Sequence, residues 1–268
     1  MKLRRHKQNP AAFTLLELIV VIAIMGILAG IAVPTFKNIS KGHATASAAR
    51  QMLDDIARAR QLAIAHRTTV YMIFVPLNFW NDASYAGNQT AFNNLPGTNQ
   101  VQSQTLLDRQ VAAYTFISLR SVGDQPGRNT IQYLSPWRTL PEGTFIATEK
   151  FLLPPGQFYR IDDPASSVSF NIYGFQTNNI FRFPSEEAPL TSQTALWLPY
   201  IAFNYLGQLE SGHDEFIPLA KGSVTHPRDF SSASTATENP PGNSTNAYTL
   251  VHIDRITGRA RIEQPQIQ

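Results

Sequence analysis

Ala11-Ala12-Phe13-Thr14-Leu15-Leu16-Glu17 opens an apolar run that lasts to Val33, and on this stretch the reading of the 268-residue chain turns. Phe13 to Val33 is 21 residues. At ~1.5 Å of rise per residue, a helix of that length reaches roughly 31 Å, about the thickness of the hydrocarbon core of a bilayer. The run holds one charge, Glu17. A carboxylate near the head of a membrane-length helix is costly unless a cation partners it, so the segment is read as built to assemble. Lys2, Arg4, Arg5 and Lys7 precede it, and such basic leaders stay on the cytoplasmic side, which places the C-terminal bulk in the opposite compartment.

A secretory signal shares the basic region and the apolar core, but its small residues lie after the core, where it is cut. Here the small pair Ala11-Ala12 stands before the core. A cut between Ala12 and Phe13 strips the leader and leaves the apolar helix headed by a free amine. The rival readings are an uncleaved anchor and a signal cut near residues 29–32. Neither gives a reason for Phe-Thr-Leu-Leu-Glu directly behind a small pair. Gly26 and Gly30 form a G-x-x-x-G step that lets another helix approach closely. Pro34 lacks an amide donor and is expected to kink or end the first helical segment.

These residues resemble the N-terminus of type IV prepilins and type II secretion pseudopilins: a small residue, then Phe-Thr-Leu-x-Glu, then a hydrophobic helix. The resemblance implies that a membrane prepilin peptidase cuts between Ala12 and Phe13 and methylates the Phe13 amine. It also implies that Glu17 is the assembly carboxylate, pairing with the N-terminus of a neighbouring subunit. Gly is the commoner residue where Ala12 stands. The expected partners are prepilin peptidase, other pilins or pseudopilins, and the membrane. The expected place is the bacterial inner membrane, single-pass with a periplasmic C-terminal domain, or a periplasmic or surface filament.

The chain has 22 Lys+Arg and 19 Asp+Glu. Four of those bases lie in the leader, so the remainder holds 18 bases against 19 acids, and the basic pI belongs largely to the leader. Composition therefore gives no support for a generally cationic, nucleic-acid-binding surface, although a local patch stays open. The absence of cysteine excludes disulfide frameworks, thiolate metal sites and cysteine nucleophiles.

Residues 35–67 are predicted as an amphipathic helix, with Ala48, Met52, Ile56, Ala59 and Ala63 recurring every three or four positions beside Leu53, Ala57 and Ile64. From residue 68 onward, short β-branched and aromatic runs are bounded by Gly, Pro, Asn or Asp. They predict strands at 68–75, 111–119, 130–134, 144–147, 168–173, 200–205, 216–219, 247–253 and 259–262. No amphipathic helices alternate with them, which argues against parallel crossovers. The fold class expected is α+β: a long N-terminal helix, membrane-spanning in its first half, packed by its second half on antiparallel sheet, as in pilins. The expected segments are a cleaved leader 1–12, a transmembrane and assembly helix 13–34, a periplasmic helix 35–67 and a β-rich domain 68–268. Residues 78–104 and 225–246, dense in Asn, Ser, Thr, Gly and Pro, are expected as surface loops. Asp254 to Gly258 is expected as a hairpin turn, with Gly258 at positive φ.

A second resemblance lies toward the C-terminus. Ile201-Ala202-Phe203-Asn204-Tyr205-Leu206-Gly207-Gln208 is similar to the Phe-x-x-x-Gly strand and turn of H-type minor pseudopilins, the GspH/FimT group. Thr257-Gly258-Arg259-Ala260-Arg261-Ile262 is similar to their terminal Thr-Gly-Arg-x-Arg strand, and Ala57-Arg58-Ala59-Arg60-Gln61-Leu62-Ala63-Ile64 fits their helix end. In some members the Gly-Arg-x-Arg strand binds DNA during uptake, so the resemblance offers Gly258, Arg259 and Arg261 as nucleic-acid residues. Arginines two apart on a strand project from one face and suit neighbouring phosphates.

The sequence announces no catalytic constellation. His213-Asp214-Glu215 are consecutive and so do not converge on one strand face. Asp162-Asp163 lacks the alternating oxygen ligands of a calcium loop. There is no phosphate loop, His-Glu-x-x-His helix or Gly-x-Ser-x-Gly elbow. The expectation is a structural subunit of a type II secretion pseudopilus or type IV pilus-like filament, not an enzyme, with no cofactor and no metal; the alternative is a DNA-binding minor pilin for DNA uptake.

Overall fold

The computed structural model describes residues 15–81, 88–94, 97–120, 123, 131–163, 168–182 and 195–265. The leader, with Ala12 and Phe13, lies outside the described residues. Contacts divide the chain into two compact units, Met1–His43 and Ala44–Gln268.

Helix α1 runs from Leu15 to His66 without a break. The expectation that Pro34 ends a helical segment is therefore corrected. A proline removes one backbone donor, and the loss of that one bond does not end this helix. The helix stops in a Schellman arrangement. Arg67 takes φ 50°, its amide donates to the Ile64 carbonyl at 3.3 Å, and the Thr68 amide donates to the Ala63 carbonyl at 3.2 Å.

Among the described residues the strands that follow are β1 (Val70–Phe74), β2 (Ala113–Ser118), β3 (Gln132–Tyr133), β4 (Arg138–Thr139), β5 (Thr144–Ile146), β6 (Phe158–Asp162), β7 (Ser169–Tyr173), β8 (Ile180–Arg182), β9 (Ala195–Trp197), β10 (Tyr200–Phe203), β11 (Glu215–Thr225), β12 (Thr235–Glu238), β13 (Thr249–Ile253) and β14 (Ala260–Glu263). Short helices α2 (Asn88–Asn93), α3 (Gly97–Ser103), α4 (Glu149–Leu152) and α5 (Asn243–Asn246) lie between them.

Among the described residues the strand pairings are all antiparallel, as expected. One sheet has the order β10-β1-β2-β3, with β4 also on β2; the other has β12-β11-β13-β14, with β5 also on β11. The pairs β6–β7 and β8–β9 form two-stranded sheets of their own, not hydrogen-bonded into either larger sheet.

The second half of α1 holds these sheets together. Ala48, Ala49, Met52, Ile56, Ala59 and Ala63 are fully buried, in one cluster with Met72, Phe74, Phe116 and Phe203 of the first sheet and Phe145, Ile217, Val251 and Ile253 of the second. The alanines let the helix backbone come close, and each large side chain buried there contributes roughly 1.5–3 kcal/mol. Ala57 and Ile64, expected beside this stripe, are exposed instead. Asp55 takes a buried place. Its Oδ2 accepts from the Tyr114 hydroxyl at 2.6 Å and from Arg138 Nε at 2.6 Å, which satisfies the charge inside the core.

Strand β1 is buried along its whole length because both of its faces are covered. Val70, Met72 and Phe74 face the helix cluster. Tyr71 and Ile73 belong to a second cluster with Phe79, Trp80, Phe92, Leu106 and Leu107. That outer cover comes largely from the stretch expected as loop 78–104, whose described parts contain α2 and α3. A third cluster joins Phe170 and Ile172 of β7 to Phe216 and Leu250 of the second sheet.

The loop expected at 225–246 is corrected too. It contains β12, paired with β11 from Gly222↔Glu238 to Thr225↔Thr235, and α5. Its polar residues gain order from hydrogen bonds where apolar burial is scarce. Ser234, 3% exposed, takes the Gln110 Nε2 donor at 2.6 Å and gives its amide to Asn78 Oδ1 at 2.7 Å. Asn243 acts as a short substitute strand, accepting from the Lys221 amide at 2.7 Å and donating to the Lys221 carbonyl at 2.8 Å.

Candidate functional site

The three segments that carry the second resemblance meet at one corner of the Ala44–Gln268 unit. The β10 turn is tied by Asn204, whose Oδ1 accepts from the Leu206 amide at 2.9 Å and the Gln208 amide at 3.0 Å. The turn joining β13 to β14 is tied the same way: Asp254 Oδ1 accepts from the Ile256 amide at 3.1 Å and the Thr257 amide at 2.7 Å. These bonds from Thr257 hold the Asp254 carboxyl below its ordinary range. The two turns touch through glycines, Gly207 at φ 77° and Gly258 at φ 62°. The helix end closes the corner, with Arg60 Nε donating to the Thr257 carbonyl at 2.6 Å and Ile64 lying over Gly207.

Arg259 and Arg261 are both exposed, Arg259 just before β14 and Arg261 on it. Arg261 Nε donates to Glu263 Oε1 at 2.6 Å, so its charge is already offset. Glu263 also faces His252 Nδ1 at 3.3 Å, and His252 Nε2 lies 3.0 Å from Asp214 Oδ2. His252, Asp254, Thr257, Arg259, Ala260 and Arg261 line a shallow cavity of about 220 Å³.

In the other unit, the side chains of Leu15 to Leu28 present an apolar surface on every side. Leu15, Leu16, Leu18, Ile19, Val20, Val21, Ile22, Ile24, Met25, Ile27 and Leu28 are all exposed. Glu17 lies in the first turn of α1. Among the described residues, no helix is long and apolar enough to cross a membrane. The apolar stretch whose side chains are described, residues 15–28, spans about 21 Å as helix, shorter than the ~30 Å hydrocarbon core.

Residues 7–33 match the prokaryotic N-terminal methylation motif. The chain carries a type IV pilin-like prepilin signal. Such a signal is processed by prepilin peptidase and leads to assembly with other pilins, and the matched stretch contains Ala12, Phe13 and Glu17. No curated protein and no solved structure matches the chain.

The acidic clusters considered for chemistry are engaged by neighbouring side chains. Glu215 is 1% exposed on β11, and its Oε2 accepts from Lys150 Nζ at 2.9 Å. Lys150 is itself fully buried, gives a second bond to the Tyr173 carbonyl at 2.8 Å and lies 4.5 Å from the Phe175 ring centre. Burial pushes its amine below the ordinary lysine range, and Glu215 opposes this. His213 stacks on Tyr173 at 3.9 Å. Asp162 accepts from Arg160 Nε and Ser169 Oγ, each at 2.6 Å. No group of three metal-ligating residues occurs among the described residues. The buried pair Lys150–Glu215 and the part-buried pair Asp55–Arg138 were not foreseen from sequence. Their partners lie 65 and 83 residues apart, and no local spacing signals them.

Proposed function

We propose that this chain is a minor pseudopilin, a structural subunit of a type II secretion pseudopilus or type IV pilus-like filament, and not an enzyme. Prepilin peptidase frees Phe13 and methylates its amine. The helix of residues 13–34 then anchors the chain in the inner membrane, with the β-rich domain in the periplasm. On assembly that helix leaves the lipid and packs among the helices of neighbouring subunits, with Glu17 taking up a neighbour's terminal amine.

The observation that carries this reading is the row of eleven large apolar side chains exposed between Leu15 and Leu28, inside the matched prepilin signal of residues 7–33. A surface of that extent is stable only in lipid or against other apolar helices. Van der Waals packing and a single ionic pair then replace the lipid contacts. The DNA-uptake alternative through Gly258, Arg259 and Arg261 has less support, because Glu263 already pairs Arg261. The test is the N-terminus of the mature protein. Mass spectrometry of the chain from its native membrane should find Phe13 first, with a methylated amine. A mature chain beginning beyond Glu17 would overturn the reading.

A further inference from the structure

We propose that His252 is a proton-operated clasp: with a proton on both ring nitrogens it ties the turn that carries Asp214 to the C-terminal hairpin β13–β14, and loss of one of those protons loosens the tie. The clasp lies within the Ala44–Gln268 unit and does not depend on assembly.

Both nitrogens of the His252 ring face carboxylate oxygens. Nε2 lies 3.0 Å from Asp214 Oδ2, and Nδ1 lies 3.3 Å from Glu263 Oε1. An ionised carboxylate only accepts, whereas a neutral imidazole has a single N–H to give. The arrangement is therefore satisfied in full only by the doubly protonated ring. Packing holds the ring in place: it is 7% exposed and stacks on Phe216 of β11 at 4.3 Å. Once one proton leaves, a nitrogen lone pair is left facing a carboxylate oxygen.

The charges around the ring come from each element packed on it. Asp214 stands just ahead of β11. On β14, Arg261 lies opposite His252 in the strand register and donates to Glu263 Oε1 at 2.6 Å. In the turn between the strands, Asp254 is engaged by Thr257, and Arg259 lines the same cavity as His252. Deprotonation removes the cation that bridges Asp214 and Glu263. The seam it fastens is continued by Arg255, whose amide donates to Asp214 Oδ1 at 2.9 Å and whose side chain donates to the Gly212 carbonyl at 3.0 Å. Arg255 is the exposed part of that seam and His252 the buried part.

The test follows the full chain in detergent through a pH series above the range in which the carboxylates take up protons. Nitrogen NMR of isotope-labelled histidine reads the protons on His252. Hydrogen exchange of the β14 amides, corrected for the intrinsic rate, reads the hairpin. Protection of β14 should fall by about tenfold as the second ring proton leaves, the two curves sharing a midpoint, while β1 stays protected. In Asp214→Asn the new amide donates to Nε2 and its oxygen keeps the Arg255 amide, so a neutral ring is satisfied. The fall should vanish there, with protection retained. Glu263 is left in place because it also holds Arg261. His252→Gln should show no step at all. If either variant loses protection in β1 as well, the native curves and the other variant decide. Flat β14 protection while the ring titrates, a ring with one proton wherever β14 is protected, or a step that persists in a folded variant overturns the inference.

Discussion

Gly258 packs so closely on Gly207 that a Cβ at Gly258 would lie 2.0 Å from the Gly207 carbonyl oxygen. The obstacle is backbone, and it cannot swing aside. Gly258→Ala is therefore expected to strain the left-handed φ of 62° and to separate the two turns, costing roughly 3 kcal/mol. Gly156 is the control. It has φ 83° and open space around it, so Gly156→Ala should cost only the backbone term, about 1 kcal/mol. Urea denaturation of the two variants measures the difference, and equal midpoints would refute the close-packing argument.

Arg67 ends α1 at φ 50°, a conformation in which a side chain clashes with its own backbone. Glycine has no such penalty at this position of a Schellman motif. Arg67→Gly should raise stability by about 0.5–1 kcal/mol, read as a higher thermal midpoint of the protein. A lower midpoint would mean that the arginine side chain contributes more than the strain it brings.

How far the sequence foretold these features depends on the range of the signal. The stripe Ala48, Met52, Ile56, Ala59 and Ala63 was legible because helical periodicity is local, and all five side chains are buried. The Asp254–Gly258 turn was legible because Asp and Gly have fixed roles in a tight turn. Strand β6, with Gly156 and two prolines ahead of it, gave no clean alternation, and β12 hid in a Ser/Thr run. Order in β12 comes from Ser234, Asn78 and Gln110, which lie far apart in the chain and meet only in the fold. The Ile64 side chain was misplaced for a related reason. Periodicity finds the buried stripe but cannot say that its edge is left open beside Gly207.

Lys150 and Glu215 form an ion pair at 2.9 Å with both side chains out of solvent. Removing one partner leaves the other charge buried alone, so Lys150→Met should cost about 3–5 kcal/mol. Replacing both, Lys150→Met with Glu215→Leu, should recover most of that loss, since apolar residues of similar volume often serve as well. A double-mutant cycle by chemical denaturation checks it. A double variant no more stable than Lys150→Met would show that the pair has a role beyond mutual neutralisation.

Acid should loosen the C-terminal hairpin. Burial works against the charge on Glu263, but hydrogen bonds from Arg261 and His252 outweigh it and hold the carboxyl below its ordinary range. A carboxyl depressed in the folded state contributes stability above its unfolded pKa and loses it as pH falls through the folded value. The loss should therefore begin near the ordinary glutamate value of about 4.3 and finish below it. Hydrogen exchange of the β14 amides, followed down this range, should show faster opening in the native protein. Glu263→Gln should open the hairpin already at neutral pH and flatten the dependence.

Glu17 supplies the last prediction, and it separates anchoring from assembly. The carboxylate stands in the first turn of α1 amid exposed leucine, isoleucine and valine, where charge is tolerated only with a cation beside it. In the proposed function the helix resides in lipid before assembly, held there by its apolar side chains alone. In the filament, the terminal amine of a neighbouring subunit is the proposed cation. Glu17→Ala leaves that amine buried without a counter-charge, a penalty of about 3–5 kcal/mol, enough to reduce incorporation by more than about a hundredfold. The variant should still be cleaved before Phe13 and still fractionate with the membrane, yet be missing from sheared filaments, as immunoblots of the two fractions would report. Glu17→Asp keeps the charge but shortens its reach, and it should recover part of the incorporation. If Glu17→Ala enters filaments as the native chain does, the carboxylate is not what sets one subunit against the next.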